Sequence, residues 1–275
     1  MRLHIALPLL IVIPITSAVA RGDPGESDSS AIGIVESDGL TFLRGAGYLL
    51  SSPVRWKSAD WLAFGAEGTG TIAASGLDID GRLIMQRNRT PRNEDLAKAA
   101  EQYGVGLNMI LLSAGGYIAG LAFDSRWVRQ TSLLAGSAIL IAATVSTVSK
   151  VVIGRARPYT GNGHMKFKPF SFPVEDYASF PSGHTIVAFA FSGVLAARVD
   201  NAWVSAGLYA LAASTGISRM YTDEHWFSDV VFGAVISVPV SRSLVRWFES
   251  PGETGGDTGL RLLPGAGGIT LVYSF

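Results

Sequence analysis

Cysteine is absent from the 275-residue chain, which removes disulfides, thiolate catalysis and cysteine-ligated zinc from consideration. Charge is also scarce. Asp, Glu, Lys and Arg make up 16% of the residues, and 22 basic side chains balance 22 acidic ones. A zero net charge gives no bulk attraction for nucleic acid, so any anion site must be a local cluster of cations. Histidine is rare, with only His4, His164, His184 and His225. Strand-like alternation is missing ahead of the C-terminal tail, and no internal repeat is visible.

What is present is apolar, at 48% of residues, in a length that suits one main domain. Residues 1–20 read as an export signal: Arg2, an apolar stretch from Ile5 to Ala18, then the small-x-small site Ala18-Val19-Ala20, with cleavage before Arg21. An uncleaved anchor is the alternative. Residues 21–56 read as a flexible linker, because Arg21 to Asp38 is rich in Gly, Ser and acids. Residues 57–249 read as an all-α domain of about five to six helices. In it Val105 to Phe123 and Thr131 to Ser149 carry no charge, and Thr185 to Ala197, Ala202 to Ile217 and Val230 to Ser241 are shorter apolar segments. In the tail, 250–275, Leu260–Leu263 and Ile269–Phe275 flank a Gly-rich turn and predict a small β-hairpin.

Three clusters carry chemistry. The first runs from Lys150 to Arg157-Pro158 at the end of a long apolar helix, where a lysine and an arginine can face one anion or simply mark a solvated helix end. In the second, Ser179-Phe180-Pro181-Ser182-Gly183-His184-Thr185 leads into a helix. It offers free N–H groups, a hydroxyl and the positive helix end to a phosphate, or merely caps the helix with serine. The third runs from Ser218-Arg219 to His225 and Asp229. Their spacing of four, on a helix, lets the carboxylate fix the imidazole tautomer, whether for attack or only to brace the helix.

Taken together, K-x6-R-P at Lys150–Pro158, P-S-G-H at Pro181–His184 and S-R-x5-H-x3-D at Ser218–Asp229 resemble the type 2 phosphatidic acid phosphatase and vanadium haloperoxidase superfamily, in content and in order. The resemblance spans about 150–229 and implies an all-helical fold with its active site at helix ends. It also implies that His225 is the nucleophile, that Asp229 orients it, and that His184 is the general acid. Lys150, Arg157, Ser182, Gly183 and Arg219 would hold the phosphate. The implied activity is hydrolysis of phosphate monoesters or lipid (pyro)phosphates through a phosphohistidine, with no metal and no cofactor. The rival readings are a vanadium-dependent haloperoxidase, whose family members are generally larger, and a non-catalytic envelope protein. Positioned cations and donors suit a phosphoryl transition state, whose charge spreads over equatorial oxygens. Asp223 and Glu224 precede His225 and either face solvent or tune it. Arg155 is expected to be solvated, Trp226 and Tyr221 to pack, and His164 has no assigned role.

A membrane span needs about 20 apolar residues, which Val105–Phe123 and Thr131–Ser149 approach. With a cleaved signal, two such spans return the chain outward and place the site in the periplasm, whereas a third span at Trp61–Leu77 would place it inside. Glu67 and the glycines argue against that third span. The basic residues within Asp78–Lys98 run against the positive-inside rule. The expectation is therefore a cell-envelope enzyme with a periplasmic site, at the inner membrane ahead of the soluble periplasm. Its partner is a phosphorylated small molecule or lipid, not nucleic acid, and the oligomeric state is left open.

Overall fold

The structure is a computed structural model that describes residues 31–171, 174–199, 201–250, 259–265 and 268–274. The export-signal reading of 1–20 lies outside these residues. The described backbone is helical apart from its C-terminal end, but it holds ten α-helices rather than five or six. They are α1 Ala31–Leu50, α2 Ser52–Arg55, α3 Ser58–Ser75, α4 Asp78–Arg87, α5 Pro91–Gln102, α6 Gly106–Ala122, α7 Arg126–Ile153, α8 Gly183–Val199, α9 Ala202–Tyr221 and α10 Phe227–Glu249.

Much of the difference arises before residue 103. The polar segment 78–101 divides at Thr90, whose hydroxyl accepts the Asn93 N–H while Pro91 opens α5. Residues 31–50, expected as linker, form α1 instead. Of its two acids Glu36 is exposed, whereas Asp38 pairs with Arg129 at 2.9 Å and accepts the Tyr117 hydroxyl at 2.9 Å. Tyr48 then stacks on Trp247, and Leu49 joins the main core. A linker composition was thus overridden by partners far along the chain.

The centre is α8, apolar on nearly every face and enclosed by α7, α9 and α10. Small residues bring these helices close. A Cβ on Gly193 would lie 2.8 Å from the Ser241 Cβ, and the Ser237 and Ser241 hydroxyls donate to the Ile186 and Ala190 carbonyls of α8. Leu134, Ile139, Ile186, Val194, Leu244 and Val245 fill the interior.

By length and apolar composition α7 and α10 can each cross a membrane, and the α5–α6 pair, bent by 48°, makes a third candidate. Alternating helix directions gather the C-terminal ends of α7 and α9 with the N-terminal ends of α8 and α10 at one pole. Two glycines are required near it. Gly104, between α5 and α6, lies so close that a Cβ would meet Thr215 at 2.4 Å and the His184 carbonyl at 2.7 Å. Gly154 ends α7 at φ +57, where a side chain would also strike the Lys168 carbonyl.

At the C-terminal end, β1 Gly259–Gly265 and β2 Gly268–Ser274 pair antiparallel, with Leu262 opposite Leu271, where the sequence predicts a hairpin.

Candidate active site

Lys150 sits on the last turn of α7, and the left-handed cap at Gly154 turns the chain so that Arg155, Ala156 and Arg157 run back across the helix end. The Lys150 ammonium lies 3.6 Å from where a Gly183 Cβ would stand, so it faces the opening turn of α8. Ser182 starts that turn. Its carbonyl accepts the Ile186 N–H, its own N–H donates to the Asp229 carbonyl, and its hydroxyl accepts from Thr185 at 2.8 Å. The hydroxyl proton of Ser182 and the first N–H groups of α8 remain as donors toward an anion.

Arg157 and Arg219 are both buried. Arg157 is braced through Nε on the Glu175 carbonyl at 3.0 Å, and its Nη1 bonds Glu224. Arg219 places Nη1 on Glu101 at 2.5 Å and Nη2 3.7 Å from Glu224. Its Nε is buried with no hydrogen-bond partner among the described residues, which leaves it suited to an anion.

The two histidines converge on these cations. Burial lowers the His184 pKa to about 4, followed by the positive charges of Arg219, Lys150 and Arg157. Burial likewise drives His225 well below the usual imidazole range, followed by Lys150, Arg157 and Arg219. Both histidines are tied to Arg219: Nε2 of His184 lies 3.6 Å from the Glu101 carboxylate that Arg219 bonds, and the His225 backbone N–H donates to the Arg219 carbonyl at 3.2 Å. Nδ1 of His225 lies 2.6 Å from the Ser179 carbonyl, an acceptor that fixes the proton on Nδ1 and leaves the Nε2 lone pair free.

Asp229 stands apart from the direct role its spacing implies. It lies 3.7 Å from His225 Nδ1, beyond a hydrogen bond. Its Oδ2 instead accepts the Ser179 hydroxyl at 2.5 Å and the Trp226 N–H at 2.9 Å, so it fixes the segment whose carbonyl holds His225. Its Oδ1 meets Arg155 at 2.5 Å.

Arg155, expected to be solvated, is buried. It spans Asp229 and Asp78, with Nη2 2.6 Å from Asp78 and Nη1 also on the Ser228 hydroxyl. Asp78 accepts the Ser228 N–H and hydroxyl as well. Two buried carboxylates and one guanidinium thus clamp the start of α10 behind the site. Asp223 turns away, at φ +64, into a two-point pair with Arg82, so only Glu224 of the two adjacent acids reaches the cations. Trp226 packs in the interior with Nε1 on the Ala156 carbonyl, and Tyr221 anchors Thr90 through its hydroxyl. His164 offers its carbonyl to Arg155 Nε.

Arg155, Asp78, Glu101 and Ser179 were missed as site residues by the sequence reading. Ser179 and Arg155 lie inside or beside motifs and were findable by proximity. Asp78 and Glu101 come from α4 and α5, where nothing in the sequence points toward the site.

Residues 131–252 match the model of the PAP2 superfamily. A stretch of 64 residues is 41% identical to a lipid A 1-phosphatase of Porphyromonas gingivalis, covering 22% of this chain and 14% of that protein, so the chain matches only a small part of its relative's length. Among solved structures, Aquifex aeolicus LpxE is similar with TM-score 0.46 and 22% identity, over 62% of this chain and 95% of the other. The transmembrane PAP2-type phosphatidylglycerolphosphate phosphatase of Bacillus subtilis follows with TM-score 0.43 and 18% identity, over 78% and 94%. The stretch that matches the PAP2 superfamily, residues 131–252, contains the histidine and cation cluster.

Proposed function

We propose that the chain is a phosphatase acting on lipid phosphates at a membrane surface, through a phosphohistidine on His225. The observations that carry this reading are His225 Nδ1 committed to the Ser179 carbonyl and the Glu101 carboxylate that stands between His184 and Arg219. The name of the lipid A 1-phosphatase relative supports lipid phosphates as the substrate class.

In the first step, the Nε2 lone pair of His225 attacks phosphorus, an N–P bond forms, and the ester P–O bond breaks as His184 gives its proton to the departing oxygen. In the second, His184 takes a proton from water, the water oxygen bonds phosphorus, and the N–P bond breaks to release inorganic phosphate. The three cations, with the Ser182 hydroxyl and the Gly183 N–H, meet the charge on the equatorial oxygens. His184 must be protonated at the outset although its own surroundings oppose that. The dianionic substrate supplies the missing negative charge, so proton uptake by His184 is tied to substrate binding.

Membrane placement is supported by α7 and α10. The periplasmic side is proposed for the site on the strength of the export-type N-terminus. Because the chain has no cysteine, Asn162→Cys, at an exposed position in the loop after Arg157, gives a single label position. An impermeant maleimide should modify it in intact cells.

The decisive test is His225→Ala in membranes, assayed on a lipid phosphomonoester and on p-nitrophenyl phosphate. Loss of both activities is expected, together with an acid-labile phosphoprotein formed by wild type alone. Turnover near the wild-type rate in the variant would exclude His225 as nucleophile.

A further inference from the structure

The segment His164–Phe170 is not used by the mechanism above, yet it is built with unusual care. It crosses the end of α7 as a strap, pinned by backbone bonds from Ala156 N to the Lys166 carbonyl at 2.9 Å, Lys168 N to the Gly154 carbonyl at 2.6 Å and Phe170 N to the Val151 carbonyl at 2.7 Å. So held, it still turns apolar side chains outward: Met165 is 65% exposed, Phe167 41% and Phe170 75%. Lys166 and Lys168 are interleaved with them and are also exposed.

The position of the strap decides what it can meet. Leu140, Val148 and Val152 of α7 are exposed and lie on one helical face, separated by multiples of four residues. That face belongs to a helix long and apolar enough to cross a bilayer. The bond from Phe170 to Val151 sets the strap at the top of this stripe. Aromatic and thioether groups beside lysines, at the end of an apolar helix face, match the boundary where hydrocarbon gives way to anionic headgroups. A soluble partner would need an apolar patch of its own, whereas a bilayer already meets the stripe below.

We infer that His164–Phe170 is a bilayer-docking strap, with Met165 and Phe170 entering the interfacial layer and Lys166 and Lys168 on anionic headgroups, which sets the pole of the site at headgroup level. This rests on the lipid-phosphatase reading for its purpose but not for its test. Docking and chemistry share one residue, since Arg155, which clamps Asp229, also donates from Nε to the His164 carbonyl at 2.8 Å.

The test uses the full chain reconstituted in phosphatidylcholine vesicles with and without phosphatidylglycerol. Phe170→Cys is labelled with an environment-sensitive fluorophore, and Asn162→Cys serves as the control. The label at 170 should shift to the blue and be quenched by lipids carrying a nitroxide near the headgroup, while the label at 162 stays open to aqueous iodide. Met165→Ser/Phe170→Ser and Lys166→Glu/Lys168→Glu should each lower kcat/KM on a vesicle-borne lipid phosphomonoester. The charge reversal should cost about fivefold per lysine on anionic vesicles. Activity on p-nitrophenyl phosphate should stay within about twofold, since neither pair touches the phosphate site. A label at 170 that is as open to iodide as the control, or one shielded only when the protein is packed densely enough to meet a second copy, overturns the strap. If wild type hydrolyses neither substrate, the phosphatase reading falls while the label still judges the strap.

Discussion

Replacing Arg155 by methionine probes the clamp behind the site without touching a phosphate ligand. Asp229 and Asp78 are both fully buried, and Arg155 lies within 2.6 Å of each. Methionine keeps much of the side-chain volume but leaves two carboxylates facing each other with no cation between them. Breaking a buried pair in this way costs about 3–5 kcal/mol, because the remaining charge is uncompensated. For a chain of this size that corresponds to a fall in melting temperature of about 6–20 °C. Each carboxylate retains two donors, the Ser179 hydroxyl and Trp226 N–H on Asp229 and the Ser228 N–H and hydroxyl on Asp78, so what remains unrelieved is the excess negative charge. Adding Asp78→Asn to Arg155→Met should therefore recover part of the loss. Thermal unfolding of the purified single and double variants gives the stability term. Activity on p-nitrophenyl phosphate reports whether Ser179 still holds His225. A single variant melting within about 2 °C of wild type, with full activity, would refute the clamp.

Three further outcomes follow from the same geometry. His184 is lowered to about 4 and His225 is lowered as well, so the unfolded chain takes up these protons first. Stability should fall as pH drops below the ordinary imidazole value near 6.5, by up to about 1.4 kcal/mol per pH unit for each ring, and His184→Gln should flatten the melting curve measured from pH 6.5 to 4.5. Glu101→Gln removes a carboxylate 2.5 Å from Arg219, so inorganic phosphate should inhibit about tenfold more strongly; weaker inhibition would mean that Glu101 chiefly holds Arg219 in place. Gly154→Ala forces a side chain at φ +57 into the Lys168 carbonyl, so a loss of at least about 2 kcal/mol and faster proteolysis within 160–171 are expected, read by thermal unfolding and by mapping the cleavage products.

The sequence points to Lys150, Arg157, His184 and Arg219 because each lies beside Ser, Pro or Gly near a helix end, and to His225 because of its spacing to Asp229. Those residue types advertise turns and free N–H groups. The His225–Asp229 spacing misled for a physical reason. It implies a shared helix face, but α10 begins at Phe227, so His225 lies outside the helix and Asp229 caps its first turn instead. Arg155 was read as solvated because its partners, Asp78 and Asp229, lie 77 and 74 positions away. Likewise the 31–50 segment has a linker's composition, and only Arg129, Tyr117 and Trp247 make it a helix worth forming. Local pattern reveals local geometry, and long-range charge pairing remains hidden from it.

The residues before position 131 change what counts as the working unit. Arg155 depends on Asp78, Arg219 on Glu101, and Gly104 lets the α5–α6 corner press against the His184 backbone. A transplant of the family-matching stretch alone would carry both guanidiniums into a new host with Asp229 and Glu224 but without Asp78 and Glu101. Any graft, truncation or chimera that hopes to remain folded must import the α4–α6 segment as well.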